Sequence, residues 1–154
     1  MAVADLIGAA VGVMLLVIVA YLLVGSTIST AEIVTNAQKS VALQEQTQMR
    51  TDFTIVNAFV ETDQSTINCT IQNTGSEIIS DFPHMDVIVY DNSSKEYEIY
   101  PYGTWTITNR GDEFIHLSEL DPGESYTLLI TTQGTSPKWF QITTGNGIYE
   151  SKIL

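Results

Sequence analysis

An apolar helix with a helical stalk, followed by an all-β antiparallel sandwich, is the fold class the sequence predicts. Three observations predict it. The stretch Leu6 to Val24, LIGAAVGVMLLVIVAYLLV, runs nineteen residues without a charge, a proline or an amide side chain. From Arg50 onward the hydrophobic pattern changes to period two, in short runs separated by turn residues. No second long helical pattern interrupts those runs. The chain accordingly divides into residues 1–25, a transmembrane helix; residues 26–49, a helical stalk; and residues 50–154, a β-sandwich domain.

At 1.5 Å per residue such a helix is roughly 28 Å long, close to the ~30 Å hydrocarbon core of a bilayer. Leu6, Val11, Leu15, Leu16, Val19 and Leu22 are its membrane-embedded residues. The other use for so uniform a run is the core helix of a filament. A cleaved signal peptide fits less well, because its hydrophobic region is about 7 to 15 residues behind a basic start. Here no Lys or Arg precedes Lys39. Asp5 sits just before the run, where it favours the positive end of the helix dipole. Without a basic cluster on either flank, the positive-inside rule does not orient the helix.

The next segment, STISTAEIVTNAQKSVALQEQTQM, keeps a helical period. Ile28, Ala31, Val34, Ala37 and Val41 recur three or four apart, opposite Ser29, Glu32, Asn36 and Lys39. Leu43 is the apolar exception on the polar side. With no proline this reads as a stalk that continues the first helix. Its apolar stripe is narrow and small, suited to light packing against a partner helix or to a plain spacer.

After Arg50 the strands follow one another. The runs are RTDFTIVNAFV, STINCTIQN, MDVIVY, KEYEIY, TWTIT, Glu113 to Leu117, SYTLLITT, KWFQIT and Ile148 to Leu154. In STINCTIQN, Ile67, Cys69 and Ile71 share one face while Thr66, Asn68, Thr70 and Gln72 share the other, as in a half-buried strand. Turn chemistry separates the runs: Asn73-Thr74-Gly75, Asp91-Asn92, Asn109-Arg110-Gly111, Asp121-Pro122-Gly123 and Asn146-Gly147. Strands every ten residues or so without a second helix give an immunoglobulin-like antiparallel sandwich. The expected core is Phe53, Ile67, Cys69, Ile71, Val87, Val89, Trp105, Ile107, Tyr126, Leu128, Ile130, Phe140 and Ile142.

Charge and chemistry narrow the function. The net charge is −12, which disfavours nucleic acid, since phosphate binding needs Lys and Arg. Cys69 is the one cysteine, so an internal disulfide is impossible, and as a buried thiol without a basic neighbour it is no nucleophile. His84 and His116 show no ligand spacing. No Gly-rich phosphate loop, GxSxG elbow or CxxC is present. Asp81, Asp86 and Asp91 would need a converging loop to hold Ca²⁺, and no EF-hand spacing exists. The reading is a non-enzyme without cofactor or metal.

Two features point outward. Asn68-Cys69-Thr70 and Asn92-Ser93-Ser94 are N-x-S/T acceptor triplets; use of Asn68 or Asn92 would place the domain outside the cell. Ile88, Tyr90, Leu129 and Trp139 break the alternation of their strands. Large apolar residues on an outer sheet face mark a partner interface or a surface covered by a loop or by the stalk.

The layout, together with TAEIVTNAQKSVALQEQTQM, FTIVNAFVETDQSTINCTIQNTGSEII, LDPGESYTLLITT and GNGIYESKIL, resembles archaeal type IV pilin-like proteins. Among these it is most similar to the FlaF and FlaG accessory (stator) proteins of the archaellum. The resemblance implies a membrane-anchored, non-enzymatic stator whose sandwich binds the surface-layer protein and associates with a related FlaF/FlaG-type subunit, as a homo- or hetero-oligomer. The alternative is a structural subunit of a pilin-like filament, an archaellin or adhesive pilin. Asp5 partly matches the acidic residue near position five of processed pilins.

Overall fold

The computed structural model describes residues 2–111, 116 and 118–154. They group into two compact units, one ending at Leu43 and one spanning Gln44–Leu154. The first is all helix, part of α1 (Ala2–Arg50). Between Gly25 and Gly75 there is no glycine, and no proline before Pro83. The stalk hydroxyls do not compete with the helix: Ser26 and Thr27 donate to Leu23 O, Thr30 to Ser26 O and Thr35 to Ala31 O, the back-bonding that lets Ser and Thr sit inside helices. Among the described residues one helix is thus long and apolar enough to cross a membrane.

The second unit holds eight strands among the described residues: β1 (Phe53–Val60), β2 (Thr66–Asn73), β3 (Asp86–Asp91), β4 (Glu96–Tyr100), β5 (Trp105–Asn109), β6 (Ser125–Thr131), β7 (Pro137–Thr143) and β8 (Tyr149–Ile153). They form two antiparallel sheets, β1-β2-β6-β5 and β4-β3-β7-β8, packed as a sandwich. The expected strand Glu113 to Leu117 falls on residues that, His116 apart, lie outside the described ones. His116 itself is not in a strand.

The core lies between the sheets. Every expected core residue is buried, except that Ile107 is only partly so; Ile55, Ile79, Phe82, Met85, Tyr100 and Leu120 join them. Ile79 and Leu120 come from the loops and pair as an isolated bridge. Buried Asn73 ties these loops down: its Nδ2 donates to Glu77 O and Leu120 O, both at 2.8 Å, and its Oδ1 accepts from Gly75 N–H. A bulge at Ile55/Asn57 in β1 leaves carbonyls without ladder partners. Lys152 Nζ, from the facing sheet, donates to Ile55 O (3.1 Å) and Val56 O (3.3 Å).

The last helical turns belong to the sandwich unit, ahead of the change of period at Arg50. Arg50 O accepts from Ser76 N–H and Glu77 N–H, and Asp52 O from Thr74 N–H and Gly75 N–H. Gln48 Nε2 donates to Asn146 O at 2.6 Å, and Asn146 Nδ2 to Thr51 Oγ1 at 2.8 Å. Arg50 Nε reaches Glu77 Oε2 at 3.5 Å. The helix end is held at a neck built from two separate turns.

Candidate partner-binding face

The outer face of the β4-β3-β7-β8 sheet carries one apolar row that runs from edge to edge, and its register explains why. In an antiparallel ladder, directly opposed residues share a face. Tyr97, Tyr90, Trp139 and Ile153 are opposed in one row across the four strands. Ile99, Ile88, Gln141 and Ser151 form the next row, and Asp86, Thr143 and Tyr149 a third. Val87 and Val89 point into the core, so this whole set points out. Tyr97 packs on Tyr90 with centroids 4.9 Å apart and edge-on to Trp139 at 6.0 Å.

Both edge strands are inverted. In β4, Glu98 and Tyr100 are opposed to buried Val89 and Val87, while Tyr97 and Ile99 are 68% and 65% exposed. In β8, Glu150 and Lys152 take the inner side, and Tyr149 and Ile153 are 64% and 78% exposed. Tyr100, pushed up to about 12 by burial and by its hydrogen bond to Glu98, stays a neutral phenol at the inner rim. Putting the polar members of an edge strand inside and its apolar ones outside is the reverse of a solvated sheet.

The sequence-flagged residues divide. Ile88, Tyr90 and Trp139 are half-buried within this face, but Leu129 is on the other sheet, opposed to Asn68 and Thr106. A patch combining Ile88, Tyr90 and Leu129 therefore does not exist. Leu129 instead lies in a row with Phe59 and Asn68. Asn68 is half-buried in a central strand, with Nδ2 donating to Glu61 at 3.3 Å; Asn92 is exposed in the Asp91–Lys95 turn. The six residues expected to be membrane-embedded, Leu6, Val11, Leu15, Leu16, Val19 and Leu22, all lie on α1 with exposed side chains. Sequence reasoning missed Tyr97, Ile99, Tyr149 and Ile153.

Nothing among the described residues assembles chemistry. The three aspartates considered for Ca²⁺ stand apart. Asp81 pairs with His84 at 2.7 Å, and Asp86 and Asp91 occupy opposite ends of β3. Burial works against the Asp91 charge, but donors from Ser93, Ser136 and Ser94 outweigh it and hold the carboxyl below the ordinary aspartate value. No group of three His, Cys, Asp or Glu could hold a metal among the described residues. Burial pushes the Cys69 thiol up to about 12, against a weaker opposing pull from Lys152, which makes it inert at neutral pH. His116 Nδ1 lies 2.9 Å from Asp121 Oδ2, and that hydrogen bond raises its pKa. A cavity of about 370 Å³ beside the neck is lined by Gln44, Thr51, Glu77, Asp81 and Asn146 among others. It offers no nucleophile with a base beside it.

A membrane-length helix leading into a two-sheet antiparallel sandwich defines the class by its fold: single-helix β-sandwich proteins. The chain belongs to the archaeal-type flagellin family, whose model matches residues 4–151. It is 28% identical over 110 residues to an uncharacterized protein of Archaeoglobus fulgidus, covering 71% of this chain and 68% of that one. Its fold is similar to the archaellum periplasmic stator protein FlaG of Sulfolobus acidocaldarius (22% identity, TM-score 0.51, 68% of this chain and 99% of that one). It is similar also to the FlaF and FlaG stator complex of that organism (22%, TM-score 0.50, 66% and 87%). The archaeal flagellum of Methanospirillum hungatei matches at 14% identity with a TM-score of 0.67, over 95% of this chain and 90% of that one. Its fold is thus one shared by archaellum stator and filament proteins.

Proposed function

We propose that the chain is a non-enzymatic, stator-like accessory component of the archaellum. Its first helix, residues 1–25, crosses the cell membrane once. The stalk, residues 26–49, leads to the sandwich, residues 50–154, outside the cell, where it grips the surface-layer lattice and a partner subunit. The observation that carries this over a filament role is the stalk. Directly after a single bilayer length of apolar helix come Glu32, Lys39 and Glu45 amid Ser, Thr, Asn and Gln. In a filament core those charges would be desolvated, at a cost of several kcal/mol per unpaired ion; in an aqueous space outside the membrane they are solvated. The sandwich supports a passive clamp by having apolar residues on both outer faces, the aromatic rows on one sheet and Phe59 with Leu129 on the other, so two partners can be held at once. Asn92, exposed in its turn, is the glycan acceptor this location would use in preference to Asn68.

The second reading, a filament subunit, is favoured by the fold likeness to the Methanospirillum filament over nearly the whole chain. Deletion of the gene in a motile host tests the first reading. A stator component leaves filaments assembled but motility lost, and the tagged full chain co-purifies with the surface-layer protein from detergent-solubilised envelopes. Normal motility in the deletion strain, or no surface-layer protein in the pull-down, refutes it.

A further inference from the structure

One end of the outer β4-β3-β7-β8 face is built beside the turn that carries Asn92. Asp91 fixes that turn. Its Oδ1 accepts from Ser93 N–H at 2.7 Å and Ser94 N–H at 3.2 Å, and its Oδ2 from Ser136 N–H at 2.8 Å. Its main-chain oxygen accepts from Lys95 N–H at 2.9 Å. Asn92 N–H donates to Ser136 O at 2.9 Å, which carries the β3-β7 pairing one step past Asp91 and Pro137. Side chains alternate along β3, with Asp91 buried and Tyr90 in the outward row. Extended backbone therefore sets Asn92 on the outward side with Tyr90, ~6.6 Å away at ~3.3 Å per residue. Asn92, Ser93 and Ser94, the whole acceptor triplet, are exposed.

Resting on the placement of the sandwich outside the cell and on Asn92 as its glycan acceptor, we infer that the oligosaccharide on Asn92 folds back over Tyr90, Tyr97 and Trp139. The chain's own sugar is then what covers this end of the face. A pyranose ring presents C–H groups on its faces and hydroxyls at its rim. Stacked on a phenol or indole ring, it takes apolar surface out of water while its hydroxyls stay solvated, which suits an exposed aromatic row. Charge agrees with this occupant. The chain holds 18 acidic and 6 basic residues, yet two of the six, Lys95 and Lys138, stand exposed at this end of the sheet. Asp91 is buried, and Glu96 is opposed to it on the inner side. Sugar carboxylates, where the chain carries them, therefore meet lysines there. Asn68 has none of these features: it is half-buried in β2, with its Nδ2 donating to Glu61. The covered end is a single row. Ile88 and Ile99 beside it, and Phe59 with Leu129 on the other sheet, stay open to partners.

The test uses the full chain purified in detergent from the membranes of its host. Mass spectrometry of its peptides should find sugar on Asn92 and none on Asn68. Asn92→Gln removes the acceptor and leaves the backbone hydrogen bonds of the turn available. It should lower the thermal unfolding midpoint by about 4 °C, the scale of one good aromatic contact. It should also raise acrylamide quenching of Trp139, read against Trp105, which is buried in the core. Tyr97→Ala changes an exposed edge position and leaves the core untouched. On that background Asn92→Gln should shift the midpoint by about 1 °C or less, because the contact it would remove is already gone. An unmodified Asn92, equal shifts in the two backgrounds, or unchanged quenching overturns the inference. Surface-layer co-purification from the same preparations reads the accessory function separately. If it persists while Asn92 is bare, the covering sugar fails and the accessory function stands; if it is absent while the Asn92 shift depends on Tyr97, the accessory function fails and the covering sugar stands.

Discussion

Gly75→Ala probes the neck most sharply. A Cβ built on Gly75 would lie 2.5 Å from Arg50 O and 2.5 Å from Asp52 N, both backbone atoms. No flexible side chain is there to yield, so the turn or the helix end must move. The turn is fastened by Thr74 and Gly75 N–H to Asp52 O, and by Ser76 and Glu77 N–H to Arg50 O, at 2.9 to 3.1 Å. Overpacking of this kind costs about 1 to 3 kcal/mol, and separating even two of the four bonds adds about 1 kcal/mol apiece. The expected loss is therefore about 3 to 5 kcal/mol, measured by urea denaturation of the fragment Gln44–Leu154, which keeps the neck intact. Hydrogen exchange should also show faster exchange at Ser76 and Glu77 than in wild type. A change under about 0.5 kcal/mol with unaltered exchange would mean the helix end is not clamped.

Three other outcomes follow from the packing. Trp105 is 2% exposed, and its Nε1 is the buried side-chain nitrogen or oxygen without a hydrogen-bond partner among the described residues; Trp105→Ala should cost ~3 to 5 kcal/mol, but Trp105→Phe much less, because no bond is lost. Ile88→Lys should leave the fragment folded by circular dichroism and weaken association in ultracentrifugation at high concentration, since the lysine would be desolvated without a partner; unchanged assembly sinks the face assignment. The depressed Asp91 pKa gives a signed pH effect: its contribution is present above the ordinary value of 3.8 and lost as pH falls through the lower folded value. Asp91→Asn should flatten the acid limb of the stability profile below about pH 4, a difference that vanishes if the turn is not built on the carboxylate.

The strands were legible because period-two runs and turn residues agreed, and the helix because nineteen apolar residues admit few other readings. Two things were not. Ile79 and Leu120 belong to loops that close around Asn73, and Phe82 to a single 3-10 turn stacked on Tyr126, so no period marks them as core. In KEYEIY the alternation itself is plain, yet it does not say which side is inside. Tyr97 and Ile99 are the larger apolar pair, but the register with β3 turns Tyr100 inward and leaves them exposed. The same ambiguity hid Tyr149 and Ile153, and it separated Leu129 from Ile88: alternation identifies an outward residue without naming its sheet.

As a stator-like component, the chain would stand beside the archaellum filament and not be part of it. Electron microscopy of filaments sheared from cells, with mass spectrometry of their subunits and quantitation of the chain in the membrane fraction, tests that directly. The account predicts intact filaments in which this chain is absent or far below stoichiometric, with the bulk retained in membranes. Recovery of the chain as a stoichiometric subunit along the filament would contradict it.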